Sequence, residues 1–328
     1  MALLLWVGCA PSTSSDKIDF RGEAQGTYYA VTYYDEANRN LQPSIDSLLK
    51  AFDQTASLWV DSSLINRVNN NDDVIVNDDF LELFRMSQEV SSQTNGDFDV
   101  TVGPLVRAWG FGPENMPVIG PGTVDSLLPL VNFRQIQVRN GKVIKAFPGI
   151  KIDFNAVAQG YSVDIVARFL ESKGIENYLV DIGGEVYAHG AKPDGKPWVV
   201  GIEKPSKNQS SSREIEAQLP VINRAVATSG NYRKYYEKDG VHYSHTIDPH
   251  TGYPVKHSLL GVTVVASTCA SADAFATAFM VMGVDSAMKF LDRDTSGLEA
   301  YFISSGPDGS YQTLMTDGLK KSLTEINR

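Results

Sequence analysis

The stretch "LGVTVVASTCASADAFATAFMVMG", residues 260–283, reads as two elements joined without a loop. Its first eight residues are dominated by β-branched and small apolar types, which predicts a strand. From Thr268 onward alanine, phenylalanine and methionine predominate, which predicts a helix. Asp273 and Thr277 stand four residues apart on that helix, so both side-chain oxygens project from one face near its beginning. Alanines at 270, 272, 274, 276 and 278 keep bulk away from that face. A carboxylate and a hydroxyl so placed can hold a hard cation such as Mg²⁺ if substrate phosphates complete its shell. They can also serve the helix alone, Asp273 as a cap and Thr277 bonded back to the preceding turn, and spacing by itself favours that use.

Outward from this segment, "GTYYAVTYY" alternates like a strand, as do "YLVDIGGEVYAHG", "WVVGIEKP", "RAVATSG" and "EAYFISS". "SIDSLLKAFDQTAS" and "DDFLELFRMSQEVSSQTNG" have helical spacing, the second with Phe80, Leu83 and Phe84 on one face and Gly96 as its stop. "YSVDIVARFLESKG" repeats the pattern with Ile165, Val166, Phe169 and Leu170 on one face, ending at Gly174. "ENMPVIGPGTVDS" and "KPSKNQSSSREIEAQ" read as surface excursions. Strands and helices are interspersed without regular βαβ alternation. The expected fold is therefore α+β, a single mixed, mostly antiparallel domain over residues 20–328.

The 328 residues carry 39 acidic against 29 basic side chains, a formal charge of -10, with no local basic cluster. This excludes nucleic acid as a partner and means that a phosphate-bearing ligand needs cations, backbone amides or helix ends to be held. Cys9 follows the apolar run "MALLLWVG" and precedes the polar "APSTSSD", which reads as the end of a lipoprotein signal and a tether over residues 1–19. The run is too short to span a bilayer. Cys269 reads as a small core residue, since nothing local would lower its pKa.

Two further stretches can carry chemistry. In "KIDFNAVAQGYSVD", residues 151–164, an extended segment enters a turn of small residues that leaves backbone groups open to a ligand, and a helix start suited to an anion follows; close packing of strand on helix explains it equally well. "YSHTIDPHTGYPVKH", residues 243–257, holds Asp-Pro and Thr-Gly turn signals, so it is first a sharply folded loop. Its histidines match no zinc spacing. His245, before the turn, can act as a general base if a phosphate ligand lies beside it, and alone it reads as a structural histidine.

In chain order, "GTYYAVTY", "LWVDSSLINRVN", "NGDFDVTVGPLVRAWGFG", "KIDFNAVAQGYSVD", "LVDIGGEVYAHG", "ATSGNYRKYY", "SHTIDPHTGYP" and "ASADAFATAFMVMG" resemble the ApbE family, the FAD:protein FMN transferases, over residues 20–317. The resemblance implies an extracytoplasmic, lipid-anchored, Mg²⁺-dependent enzyme, here anchored to a membrane through Cys9. It implies binding of FAD, scission of its pyrophosphate and attachment of FMN to a threonine hydroxyl of an acceptor protein as a phosphoester, with release of AMP. Carried over residue by residue, it makes Asp273 and Thr277 metal ligands for one or two Mg²⁺ ions, joined by a backbone carbonyl, that of Ala156 or else of Ala158. Asp153 and Gln159 match positions near the flavin nucleotide, and Trp59, Asp97, Phe98, Asp99 and Ile247 fall in other FAD-contacting blocks. His245 matches the histidine that activates the acceptor hydroxyl, while His250 and His257 receive no role. Gln159 stands where many relatives carry lysine, and Gln25 where many carry methionine. An FAD pyrophosphatase and a non-catalytic FAD-binding lipoprotein are the alternatives.

Overall fold

A computed structural model of the chain describes residues 16–112, 118–205, 214–231, 235–238 and 241–326. Cys9 and most of the expected tether lie outside the described residues. Its strands are β1 (Asp16–Ala24), β2 (Thr27–Asp35), β3 (Ile136–Arg139), β4 (Lys142–Lys145), β5 (Tyr178–Ile182), β6 (Glu185–His189), β7 (Trp198–Glu203), β8 (Ile215–Val221), β9 (Arg224–Gly230), β10 (Tyr235–Lys238), β11 (Val241–Ser244), β12 (Leu259–Ala266), β13 (Glu299–Ser305), β14 (Tyr311–Met315) and β15 (Thr324–Glu325). Its helices are α1 (Gln42–Ala56), α2 (Leu64–Asn69), α3 (Asp78–Gln93), α4 (Gly103–Ala108), α5 (Thr123–Leu127), α6 (Ala158–Ser172), α7 (Cys269–Met282) and α8 (Val284–Leu291). β1 begins at Asp16, so residues 16–19, read from the sequence as the end of the tether, pair in the sheet.

An eight-stranded sheet in the order β1-β2-β5-β6-β9-β12-β13-β14 forms the centre, and every neighbouring pair in it is antiparallel. This is the mixed α+β architecture expected from the sequence. Alternation along the strands decides which layer each side chain meets. Tyr29, Val31 and Tyr33 of β2, Val262 and Val264 of β12 and Phe302 of β13 join the large core with α1, α3, α6 and α7. Val226, Val265, Tyr301 and Ile303 point to the opposite face, where Trp198, Ile202, Leu219 and Val221 of the small sheet β15-β8-β7 cover them. An antiparallel strand buried on both faces reads as a continuous apolar run, which explains why "LGVTVVAS" lacks polar alternation.

Two details depart from the sequence reading. "YLVDIGGEVYAHG" is a hairpin rather than one strand, because Gly183 and Gly184 turn the chain at φ +65° and +110°, a backbone that L side chains rarely adopt. The buried stripe of α6 runs through Val163, Val166, Ala167 and Leu170, with Ile165 and Phe169 only partly covered. The stripe is rotated because α6 packs against α7 as well as against the sheet.

Candidate active site

The N-terminal halves of α6 and α7 meet at van der Waals limits. A Cβ on Gly160 would lie 2.4 Å from the Cys269 carbonyl oxygen and 2.8 Å from Asp273 Cβ, so only glycine fits there. At this junction the Gly160 N–H donates to Asp273 Oδ2 at 3.0 Å. In a helix extended backwards, that donor would go to the carbonyl four residues earlier, Ala156. The carboxylate takes the carbonyl's place, and among the described residues no hydrogen bond reaches the Ala156 oxygen. Asp273 Oδ1 and the half-buried Thr277 hydroxyl likewise have no hydrogen-bond partner among the described residues.

Asp273 is not a helix cap. Thr268 caps α7 by accepting from Ser271 N, and the back-bond from Thr277 is absent from the described hydrogen bonds, so both helix-serving uses fail. A second carboxylate, Asp164 of α6, accepts from the N–H groups of Cys269 at 2.8 Å and Ala270 at 2.9 Å. Burial raises Asp273 above the ordinary carboxylate range, partly offset by the Gly160 N–H, and the nearby negative charge of Asp164 raises it further. Burial raises Asp164 as well, against the two α7 amides that lower it. The Cys269 thiol, pushed well up by burial and surrounding carboxylates, is inert as a nucleophile.

Gln159, at the same helix start, donates through Nε2 to the Ile182 carbonyl at 2.8 Å and to Glu185 Oε2 at 2.5 Å. This amide ties α6 to the β5–β6 turn. Gln25 lies beside it: Ser162 Oγ donates to Gln25 Oε1 at 3.2 Å and to the Gln159 carbonyl at 2.6 Å. Gln159 and Gln25 thus occupy one corner.

The extended segment before α6 carries Asp153, buried, its N–H donating to the Val100 carbonyl at 2.7 Å and its carboxylate accepting from Asn155 N. Burial raises its pKa, with Asn155 N–H and the Arg107 charge pulling the other way. This pairing brings the "GDFDV" block alongside. Phe98 is in the large core, and Asp99 is buried and accepts from Thr101 N, Thr101 Oγ1 and Phe133 N, so both build the loop that presents Asp97. Asp97 meets His250 Nε2 at 3.2 Å. Burial raises Asp97 and the histidine opposes it.

The turn after His245 is held as its residue types require. Asp248 accepts from His250 N and Thr251 Oγ1, and its carbonyl accepts from the N–H of Gly252, which sits at φ +75°. Trp109 Nε1 donates to the Gly252 carbonyl at 2.8 Å, and the Trp109 ring meets Tyr253 edge-on. Ile247 is buried beside Leu105, Trp109 and Val124. His245 is half-buried, with Phe111 edge-to-face at 6.3 Å. His257 Nε2 lies 2.7 Å from the Met280 carbonyl. Trp59, on the loop after α1, is 61% exposed and open to stacking.

Among the described residues no group of three or more histidine, cysteine, aspartate or glutamate side chains is placed to hold a metal ion. The donor set at the α6–α7 junction is different in kind: one buried carboxylate, one hydroxyl and one carbonyl, each with an uncommitted oxygen. Oxygen-only donors of low total charge suit Mg²⁺ with substrate phosphates completing the shell. The residues fit the ion.

The chain is similar to known proteins over most of its length. Residues 25–302 match the model of the ApbE family. A curated FAD:protein FMN transferase of Vibrio cholerae is 37% identical over 296 residues, covering 88% of this chain and 87% of that protein. One from Haemophilus influenzae is 35% identical over 324 residues, covering 94% and 92%. The solved structure of the flavin transferase ApbE from Vibrio cholerae superposes with a TM-score of 0.83 at 33% identity, covering 94% of this chain and 99% of that one. The apo form of the Pseudomonas stutzeri flavinyl transferase ApbE gives 0.83 at 30% identity, covering 94% and 97%.

Proposed function

The chain belongs to the ApbE family, and we propose that it moves the FMN part of FAD onto a threonine hydroxyl of an acceptor protein. The observation that carries this reading is the buried Asp273 carboxylate, one oxygen uncommitted and the other taking the Gly160 N–H, on α7 one turn before the unbonded Thr277 hydroxyl, with the Ala156 carbonyl left unbonded before α6. These three would hold Mg²⁺, which when bound supplies neutralisation of the pyrophosphate charge that an acidic protein cannot supply itself. His245 takes the proton of the threonine hydroxyl. The freed oxygen bonds to the phosphorus on the flavin side of the diphosphate, the P–O bond to the adenosine-side phosphate breaks, and AMP leaves with that oxygen.

Trp59 would stack on a ring of the nucleotide. Asp97, Asp153, Gln159 and the Ile247 turn would line its path, while Phe98 and Asp99 act by shaping that path. The proposal includes placement outside the cytoplasm on a lipid anchor at Cys9, because the apolar run and tether of the sequence suit one. The test is a mass spectrum of a candidate acceptor domain after incubation with the protein, FAD and Mg²⁺. A mass increase by one FMN on a threonine supports the reading. FMN and AMP released with the acceptor unmodified would make the protein an FAD pyrophosphatase instead, and FAD bound but intact would leave it a flavin carrier.

A further inference from the structure

The helices α6 and α7 exchange carboxylates. Gly160 and Asp164 stand one turn apart on α6, and Cys269 and Asp273 stand one turn apart on α7. Asp273 accepts from the Gly160 N–H, while Asp164 accepts from the Cys269 and Ala270 N–H groups. Each carboxylate thus sits on the other helix's first turn, where orphan N–H groups and the positive end of the helix dipole favour it. The three bonds, one from α6 to α7 and two from α7 to α6, run in opposite directions at one interface, which fixes both the slide and the rotation of α7 against α6.

We infer that Asp164 is the positioning residue for Asp273, and that it sets how well the junction takes up a divalent cation. This rests on the reading of Asp273 as a metal ligand. Asp164 serves stability, because Thr268 reaches only Ser271 N and leaves the buried N–H groups of Cys269 and Ala270 to it, while a second buried carboxylate beside Asp273 adds like-charge repulsion inside the protein. Its further use is geometric. Without the bonds to Cys269 and Ala270, the first turn of α7 is free to rotate, and with it the carboxylate that takes the Gly160 N–H and would share the cation with Thr277 and the Ala156 carbonyl. Loss of partners that orient a ligand typically weakens metal affinity about 10–100-fold.

The experiment compares Asp164→Asn with Thr268→Ala, which removes the other cap of the same helix without touching the exchange. Mn²⁺ uptake followed by electron paramagnetic resonance should be roughly tenfold weaker in Asp164→Asn and unchanged in Thr268→Ala. Amide exchange at Gly160 in the metal-free protein should quicken in the first and not in the second. Asp164→Glu, which keeps the charge but displaces it by one methylene, carries the same expectation should the asparagine variant not fold. Wild-type Mn²⁺ affinity in Asp164→Asn, or equal weakening in both variants, would overturn the inference. Should the wild-type protein take up no Mn²⁺, the cation reading fails, and the Gly160 amide still decides whether Asp164 positions Asp273.

Discussion

Replacing Gly160 by alanine tests the α6–α7 junction at its tightest point. The added methyl would sit 2.4 Å from the Cys269 carbonyl oxygen, 2.7 Å from its carbon and 2.8 Å from Asp273 Cβ. Favourable contact begins near about 3.5 Å, so the two helix starts must separate by about 1 Å. Two of the atoms met are backbone, and no flexible side chain can swing aside. Overpacking of this kind costs about 1–3 kcal/mol, and stretching the Gly160 N–H bond to a buried carboxylate costs about 1.5–3 kcal/mol more. Alanine's better helix propensity returns about 1 kcal/mol. The net is about 3 kcal/mol, which for a chain of this size lowers Tm by roughly 4 °C. Thermal unfolding by circular dichroism reads this directly, with Gly120→Ala as the control, since its Cβ would meet only Thr123 Oγ1 at an ordinary 3.8 Å. A Gly160→Ala protein with the Tm and Mg²⁺-dependent turnover of the wild type would refute the close approach and the placement of Asp273 built on it.

Asp273→Asn should change the pH dependence of the metal-free protein. Because burial raises Asp273 above its unfolded value of about 3.9, protonation favours the fold; the stability this gives is full at lower pH and is lost as pH rises through the raised value. Urea midpoints near pH 5 and pH 8 should therefore fall less in the variant than in the wild type, and equal slopes would remove the buried charge from the account. Asp35 runs the other way: the Arg39 guanidinium holds its carboxyl at about 2, so its contribution is present above the unfolded value and lost as pH falls toward about 2. Asp35→Asn should cost on the order of 1 kcal/mol near neutrality, discounted because the Arg39 side chain is 41% exposed, and nothing near pH 2; a loss that does not vary with pH counts against the pair. His245→Ala should slow transfer about 10²–10⁴-fold at neutral pH with FAD affinity retained, and wild-type rates would place the base elsewhere.

Helix α7 and the strand before it were legible because both signals are local: apolar continuity for β12 and the four-residue spacing of Asp273 and Thr277. What the spacing could not decide was their use, since a cap and a metal ligand are written with the same residues. The structure removes the cap, because Thr268 already caps the helix and Asp273 accepts from the Gly160 N–H instead. Asp164 was missed for a related reason. It lies in the quoted "YSVD" block, but its partners are backbone amides 105 and 106 residues away, and no periodicity marks an acceptor of that kind. The glycine pair at 183 and 184 was a visible turn signal within an apolar run, and its weight was underestimated. Strand β1 escaped because an edge strand with one half-open face carries few apolar residues.

The central claim is that a divalent cation sits between the starts of α6 and α7 and meets the diphosphate of FAD there. Anomalous diffraction from a crystal soaked with Mn²⁺ and FAD addresses it most directly. The account predicts a manganese peak within bonding distance of Asp273, Thr277 and the Ala156 carbonyl, with the diphosphate against it. A peak elsewhere, or a diphosphate bound away from this junction, would contradict it.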